Sequence, residues 1–245
     1  MKKKVTHFLK KIIKILLYSR YVNLRAVGEV NLTRDEFDRQ IDQFRNQSEI
    51  HRLPISVIYR VKNGGAYLRL SLESVAYFAK EIVLIDNGSE DRTREIFETV
   101  ANSFPDVKFQ YVQHDVTYAR AGENYLADLN AGFPPLSEFY EFAFSHGNQA
   151  YLMKMDAHYL FLPAKKEIIE RKINKQLPVV KLKIIDVFGR NHGYEPLLFQ
   201  NKGWYFVDSD EFEVLKFDSP PRFFSSFAGF VWGAAIIHLK RLVKK

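Results

Sequence analysis

From Pro54 onward, short apolar runs alternate with stretches in which apolar positions recur every three or four residues. The first pattern is that of a buried strand and the second that of an amphipathic helix. Ile55-Ser56-Val57-Ile58-Tyr59-Arg60-Val61 reads as the first strand, ended by the turn signal Asn63-Gly64-Gly65. Leu68, Leu72, Val75, Ala76 and Ala79 then share a helix face, and Glu81 to Ile85 forms a second strand running into Asp86-Asn87-Gly88-Ser89. Ile96, Phe97, Val100, Ala101 and Phe104 mark a second helix, and Val107 to Val112 a third strand. Tyr118 to Ser145 reads as helical and aromatic with a break at Pro134-Pro135, and Tyr151 to Pro163 as one buried strand. Pro163 to Gln176 follows as a helix, with Pro in its first turn. Val179 to Phe188, Leu197 to Gln200 and Trp204 to Val207 read as strands of a mixed, partly antiparallel half.

Strands alternating with helices of this length require right-handed crossovers, hence an α/β fold with a mostly parallel sheet covered on both faces. Ligands in such sheets bind beyond the carboxyl ends of the strands. The polar breaks Arg60-Val61-Lys62-Asn63, Asp86-Asn87-Gly88-Ser89 and Asp156-Ala157-His158 therefore predict one cleft. Residues two apart on a strand point to the same side, which gives Asp156 and His158 a common space. A carboxylate beside an imidazole suits a divalent cation, Mn²⁺ more than Mg²⁺ because the softer ion accepts nitrogen. Asp156 capping a turn beside a half-buried His158 accounts for the same two residues without a metal.

The two ends follow another pattern. Val5, Phe8, Leu9, Ile12, Ile13 and Leu16 lie on one arc of a helix over Met1 to Tyr21, with Lys3, Lys10, Lys11 and Lys14 opposite. Lysines interrupt the run well short of the roughly 18 apolar residues of a membrane span, and they cut the apolar region of any signal peptide. A basic amphipathic helix of this kind lies flat on an anionic bilayer surface; packing on its own domain is the other reading. Asn31 to Arg52 is polar, with Thr33 and Asp35 placed to cap a short helix from Glu36. Phe223 to Leu239 carries no formal charge, holds Phe223, Phe224, Phe227, Phe230 and Trp232, and is expected to be an apolar helix touching lipid.

Composition narrows the partners. There is no cysteine, which excludes disulfides, thiol nucleophiles and cysteine-bound metals. The net charge of +7 gathers at the ends, with no acid among residues 1–20 and Lys240, Arg241, Lys244 and Lys245 at the far terminus. A nucleic-acid protein spreads such charge along a groove interleaved with aromatics, so nucleic acid is not the expected partner.

The order of motifs resembles the inverting family 2 glycosyltransferases of the GT-A fold over residues 54–165. The resemblance rests on Pro54-Ile55-Ser56-Val57-Ile58, Asn63, Leu72-Glu73-Ser74-Val75, Ile85-Asp86-Asn87-Gly88-Ser89-Glu90-Asp91-Arg92-Thr93 and Met155-Asp156-Ala157-His158. It implies a Rossmann-like central, mostly parallel sheet flanked by helices, with N- and C-terminal amphipathic helical appendages. It divides the chain into a membrane-surface helix (1–22), a lead-in (23–53), a catalytic domain (54–218) and an apolar, basic C-terminal helix (219–245). Within the catalytic domain, 54–165 would bind nucleotide and 166–218 acceptor.

The resemblance further implies a nucleotide-sugar donor, UDP- ahead of GDP-, and an acceptor hydroxyl; the two basic, apolar ends point to a lipid-linked or cell-envelope glycan as that acceptor, at the cytoplasmic face of a membrane. Asp86 maps to a nucleobase or ribose contact in the segment Asp86-Asn87-Gly88, and Asn63 lies in the same set. Asp91 is either a second nucleotide contact or a helix cap, and Arg60 and Lys62 either meet phosphate or base or lie on the surface. Asp156 and His158 would hold Mn²⁺ or Mg²⁺ against the diphosphate, and His238 matches a late histidine that completes such a site in some GT-A enzymes. An inverting transfer needs one general base, and the acids after Trp204 resemble the acceptor segment; Glu211 is the first choice, with Asp210 and Glu213 behind it. A scaffold without turnover and a nucleotidyltransferase remain the competing classes, the latter disfavoured because Asn63-Gly64-Gly65 makes a poor phosphate loop. The sequence sets no oligomeric state.

Overall fold

A computed structural model describes residues 51–186 and 191–239, all within one unit of the chain. The expected N-terminal helix, most of the lead-in and the basic terminus lie outside these residues.

Among the described residues the central sheet has eight strands, side by side as β3 (Lys108–Gln113), β2 (Ala79–Asp86), β1 (Leu53–Val61), β4 (Tyr151–Met155), β7 (Asn191–Gln200), β6 (Val179–Asp186), β10 (Phe230–His238) and β5 (Tyr159–Phe161). β1 (Leu53–Val61), β2 (Ala79–Asp86), β3 (Lys108–Gln113) and β4 (Tyr151–Met155) run parallel, with β1 between β2 and β4. Their near-continuous apolar sequences follow from burial on both faces: Ile55, Val57, Ile58, Val83, Leu84 and Met153 are inaccessible to solvent. β7 (Asn191–Gln200) runs antiparallel between β4 and β6 (Val179–Asp186), and β10 (Phe230–His238) lies parallel to β6. Register brings the strand ends level, Val61 pairing with Asp86 and Tyr59 with Met155, so the residues that follow share one rim.

Helices α1 (Leu68–Ala76) and α2 (Thr93–Ser103) supply the crossovers expected from periodicity. The aromatic stretch after β3 resolves into two helices, α3 (Tyr125–Asn130) and α4 (Leu136–Ser145). α4 buries Phe139, Tyr140, Ala143 and Phe144 against Ile58, Val83, Ile85, Leu152 and Phe199. Each such phenyl ring removed from water stabilises the fold by about 2–3 kcal/mol. The hairpin β8 (Trp204–Asp208) and β9 (Glu213–Phe217) is a separate two-stranded sheet laid on α4 through Phe206, whose ring lies 4.9 Å from Tyr140 and 5.4 Å from Phe144. Asp208 locks it there, accepting from the Ser137 backbone N–H at 3.0 Å, the Ser137 hydroxyl at 2.6 Å and the Tyr125 hydroxyl.

Two expectations are corrected. Tyr151 to Pro163 is not one strand: β4 stops at Met155, a turn closed by the Tyr159 N–H on the Asp156 carbonyl at 2.9 Å follows, and β5 (Tyr159–Phe161) joins the opposite edge of the sheet. Both pieces are buried, so hydropathy alone does not register the turn between them. Phe223 to Leu239 is not a single apolar helix either. A short helix, α6 (Phe223–Ala228), leads into β10, which is apolar because it is sandwiched between β6 and β5. No helix among the described residues is long and apolar enough to cross a membrane. α5 (Lys166–Asn174) begins after a 3₁₀ turn at Pro163–Lys165, where Pro was expected in the first turn.

Candidate active site

The three polar breaks line a cleft of about 850 Å³ at the carboxyl rim. Its walls include Arg60, Lys62 and Asn63 after β1, Asn87 after β2, Asp156 and His158 after β4, and Glu213 from the overhanging hairpin. Tyr118, Arg120 and Phe139 close the side beneath α4.

The loops after β1 and β2 hold each other. Asn63 has φ 56°, a left-handed conformation that Asn tolerates better than most residues, and its side-chain oxygen accepts the Glu90 N–H at 2.9 Å while its own N–H reaches Ser89 Oγ at 2.9 Å. Gly88 has φ 73°, and a Cβ there would come within 2.6 Å of Asp115 Oδ1, which explains glycine at that turn. Asp86 is buried and already engaged, taking the Ser89 N–H at 2.9 Å and the Tyr111 hydroxyl. The cleft wall is formed by the neighbouring Asn87. Asp91, just ahead of α2, accepts the Thr93 N–H at 3.0 Å and the Gly65 N–H at 2.8 Å. Burial pushes the Asp91 carboxyl up, but the Thr93 hydroxyl and these backbone donors outweigh it and hold it below the usual carboxylate range.

On the opposite side lies a buried charge network. Arg60 stacks on Tyr140 with its guanidinium carbon 3.4 Å from the ring centroid, and Nη2 is 3.4 Å from Asp156 Oδ1. Lys154 Nζ lies 4.9 Å from the same centroid and 3.5 Å from Glu213 Oε1. Burial opposes the Lys154 ammonium, yet Tyr140, Asp156 and Glu213 more than offset burial and the Arg60 charge and hold its pKa above the ordinary lysine value. Glu195 on β7 shows the reverse: burial, with Asp156 and Glu213 adding to it, pushes its carboxyl up against the pull of Lys154 and His192.

His158 Nε2 stands 3.8 Å from Asp156 Oδ2, brought there by the turn and not by strand alternation. His238, at the end of β10, faces His158 with ring centroids 4.6 Å apart, and the Leu239 N–H bonds the His158 carbonyl at 2.8 Å. His192 adds a third imidazole 5.2 Å from the His238 ring. One carboxylate and clustered imidazoles make a mixed oxygen and nitrogen donor set of the kind that takes divalent transition metals. Among the described residues no three His, Asp or Glu side chains stand ready-made as a metal cage, and Asp156 is paired with Arg60.

Of the acids proposed as base, the structure brings Glu213 to the cleft, its side chain 9% exposed. Asp210 and Glu211 are exposed at the hairpin turn, where the Glu211 carbonyl accepts the Gly122 N–H at 2.7 Å. Lys154, Tyr140 and Glu195 were missed as site residues. Lys154 had a signal, being a charge inside an apolar run two residues before Asp156.

The fold is GT-A: a mostly parallel sheet flanked by helices, with a cleft over the carboxyl ends of its strands. Residues 56–126 match the family model for glycosyl transferase family 2. No curated protein sequence matches the chain. Among solved structures, TarS 1–349 of S. aureus superposes with a TM-score of 0.53 at 14% identity, covering 76% of this chain and 60% of that one. TarS 1–349 in complex with UDP-GlcNAc gives 0.53 at 15% identity, covering 78% and 60%, and in complex with UDP 0.52 at 15%, covering 76% and 60%. The chain thus spans about 60% of the length of these neighbours.

Proposed function

We propose that the chain is a metal-dependent glycosyltransferase that moves a sugar from a nucleotide donor, UDP-linked ahead of GDP-linked, to a hydroxyl of a lipid-linked or cell-envelope glycan at the inner face of a membrane. The observation that carries this is the cleft itself, with the nucleotide-side loops on one wall and Asp156, His158 and Glu213 converging on the other. The match to glycosyl transferase family 2 over residues 56–126 supports the reaction class, and the TarS complexes with UDP-GlcNAc and UDP support the choice of nucleotide.

Asp156, His158 and His238 would hold the ion. When bound, it supplies the positive charge that steadies a departing diphosphate. Arg60 and Lys62 add cationic donors beside the phosphates, and Asn87 faces the nucleotide. Glu213 takes the proton of the acceptor hydroxyl as its oxygen bonds to the anomeric carbon; the bond from that carbon to the diphosphate oxygen breaks and the nucleoside diphosphate leaves, with inversion. Lys154 keeps the Glu213 carboxylate in place.

Thermal unfolding with UDP, GDP, CDP and dTDP, each with and without Mn²⁺, tests the reading on wild type and Asp156→Ala. A ligand at 100 times its dissociation constant adds about 2.7 kcal/mol. Stabilisation by one nucleotide, dependent on metal and on Asp156, is expected. Stabilisation by none sinks the donor assignment, and nucleotide binding without sugar transfer leaves a scaffold.

A further inference from the structure

The described surface carries one apolar cluster that the cleft does not use. Phe224 is 83% exposed, Phe227 44% and Trp232 48%. Phe227 and Trp232 form one patch, their rings 6.1 Å apart and bridged by Phe230 at 6.3 Å and 5.9 Å, and Phe224 precedes Phe227 by three residues on α6. Isolated exposed aromatics need no explanation, but a contiguous set marks a contact surface.

The rim of this patch is cationic. Lys165 Nζ donates to the Trp232 carbonyl at 2.9 Å, Lys172 to the Ala228 carbonyl, and Lys181 to Ser226 Oγ at 3.0 Å while lying 4.7 Å from the Phe230 ring centroid. Among the described residues no carboxylate lies within ion-pair range of these three lysines. Burial lowers the pKa of each, with Lys175 and Arg171 adding to the effect at Lys172, so an anionic partner would relieve a cost the fold carries alone.

We propose that the surface made by Phe224, Phe227 and Trp232 with Lys165, Lys172 and Lys181 docks on an anionic lipid bilayer. Aromatic rings prefer the interfacial depth of a membrane, and lysines above them reach the head groups. The charge decides among occupants. A cationic rim around exposed aromatics fits an anionic surface, whereas a second copy of the chain would set like charges against it. None of these six residues lines the cleft, so docking through them leaves the cleft's own walls free. This deepens the membrane part of the proposed function and rests on it.

The test uses the full chain with vesicles rich in phosphatidylglycerol or made of phosphatidylcholine alone. Of the two tryptophans, Trp232 is half exposed, so its emission should shift to the blue and be quenched by brominated acyl chains on the anionic vesicles only. Trp232→Phe should abolish that signal, and Phe224→Ser with Phe227→Ser should weaken partitioning about tenfold or more while leaving nucleotide-induced stabilisation unchanged. Because the emission is read on wild type, a variant that misfolds does not block the test. Full binding by the double-serine variant, lost instead in Lys3→Glu/Lys10→Glu/Lys11→Glu, overturns the patch and keeps the membrane reading. Absence of vesicle binding by wild type overturns both, and lipid-free self-association abolished by Phe224→Ser assigns the patch to a second copy of the chain.

Discussion

Glu81 and Glu213 are both acids held against a lysine, at opposite ends of the strands. Glu81, at the amino end of β2, accepts Lys108 Nζ at 2.7 Å, the Asn148 N–H at 2.7 Å, Asn148 Nδ2 at 3.2 Å and the Ser56 hydroxyl. Glu213 meets Lys154 at 3.5 Å, and the neighbouring Asp156 meets Arg60 at 3.4 Å and His158 at 3.8 Å. At one end every lone pair is used and the group is structural. At the other the charges are close enough to attract one another but too far apart for full hydrogen bonds, which leaves them bonding capacity for a ligand.

Substitutions sharpen that contrast. The largest effect should come from Glu213→Gln, which keeps the shape and removes the proposed base: turnover of the nucleotide sugar should fall about 10²- to 10⁴-fold, with a smaller loss of stability than at Glu81. An equal loss of stability would make Glu213 a second Glu81.

Next in size, Glu81→Ala should cost about 3 kcal/mol in denaturant unfolding, because Ser56 and Asn148 lose their acceptor. Nucleotide-induced stabilisation of the folded protein should persist. Burial raises the Glu81 carboxyl, but Lys108, Ser56 and Asn148 outweigh it and the folded value lies below the unfolded one of about 4.3. Its contribution is therefore complete above that pH and is lost as pH falls through the folded value, so wild type should lose stability below about pH 4 more steeply than Glu81→Gln. Parallel acid unfolding curves for the two proteins would contradict this.

The smallest effect should be that of Glu211→Gln, an exposed turn residue: turnover within about twofold of wild type, the range of an ordinary surface change. A hundredfold loss there would return the base to Glu211 and leave Glu213 a structural partner of Lys154.

Much of the rim was legible in the sequence because parallel strands buried on both faces are apolar throughout, and the places where they stop, such as Asp86-Asn87-Gly88-Ser89, stand out. The same property hid the turn after Met155, since β5 is as buried as β4. It also made β10 read as a lipid-facing helix, although Val231, Ile236 and Ile237 are β-branched and favour a strand. The choice among Asp210, Glu211 and Glu213 was out of reach because it depends on where the hairpin leaves the turn and on Asp208 pinning it to α3 and α4. The resemblance gives Asp86 as a ligand contact and Asp91 as either a contact or a helix cap; the structure shows Asp86 bonded to Ser89 and Tyr111, and Asp91 to Thr93 and Gly65.

The split between β4 and β5 also dictates an order of assembly. β5 pairs with β10, and His158 meets His238 only when that late strand is inserted beside β6. Such long-range pairing forms slowly, because a large loop must close before any contact rewards it. A chain emerging from the ribosome makes β1, β2 and their rim loops well before β10, so those loops can form ahead of the His158–His238 pair.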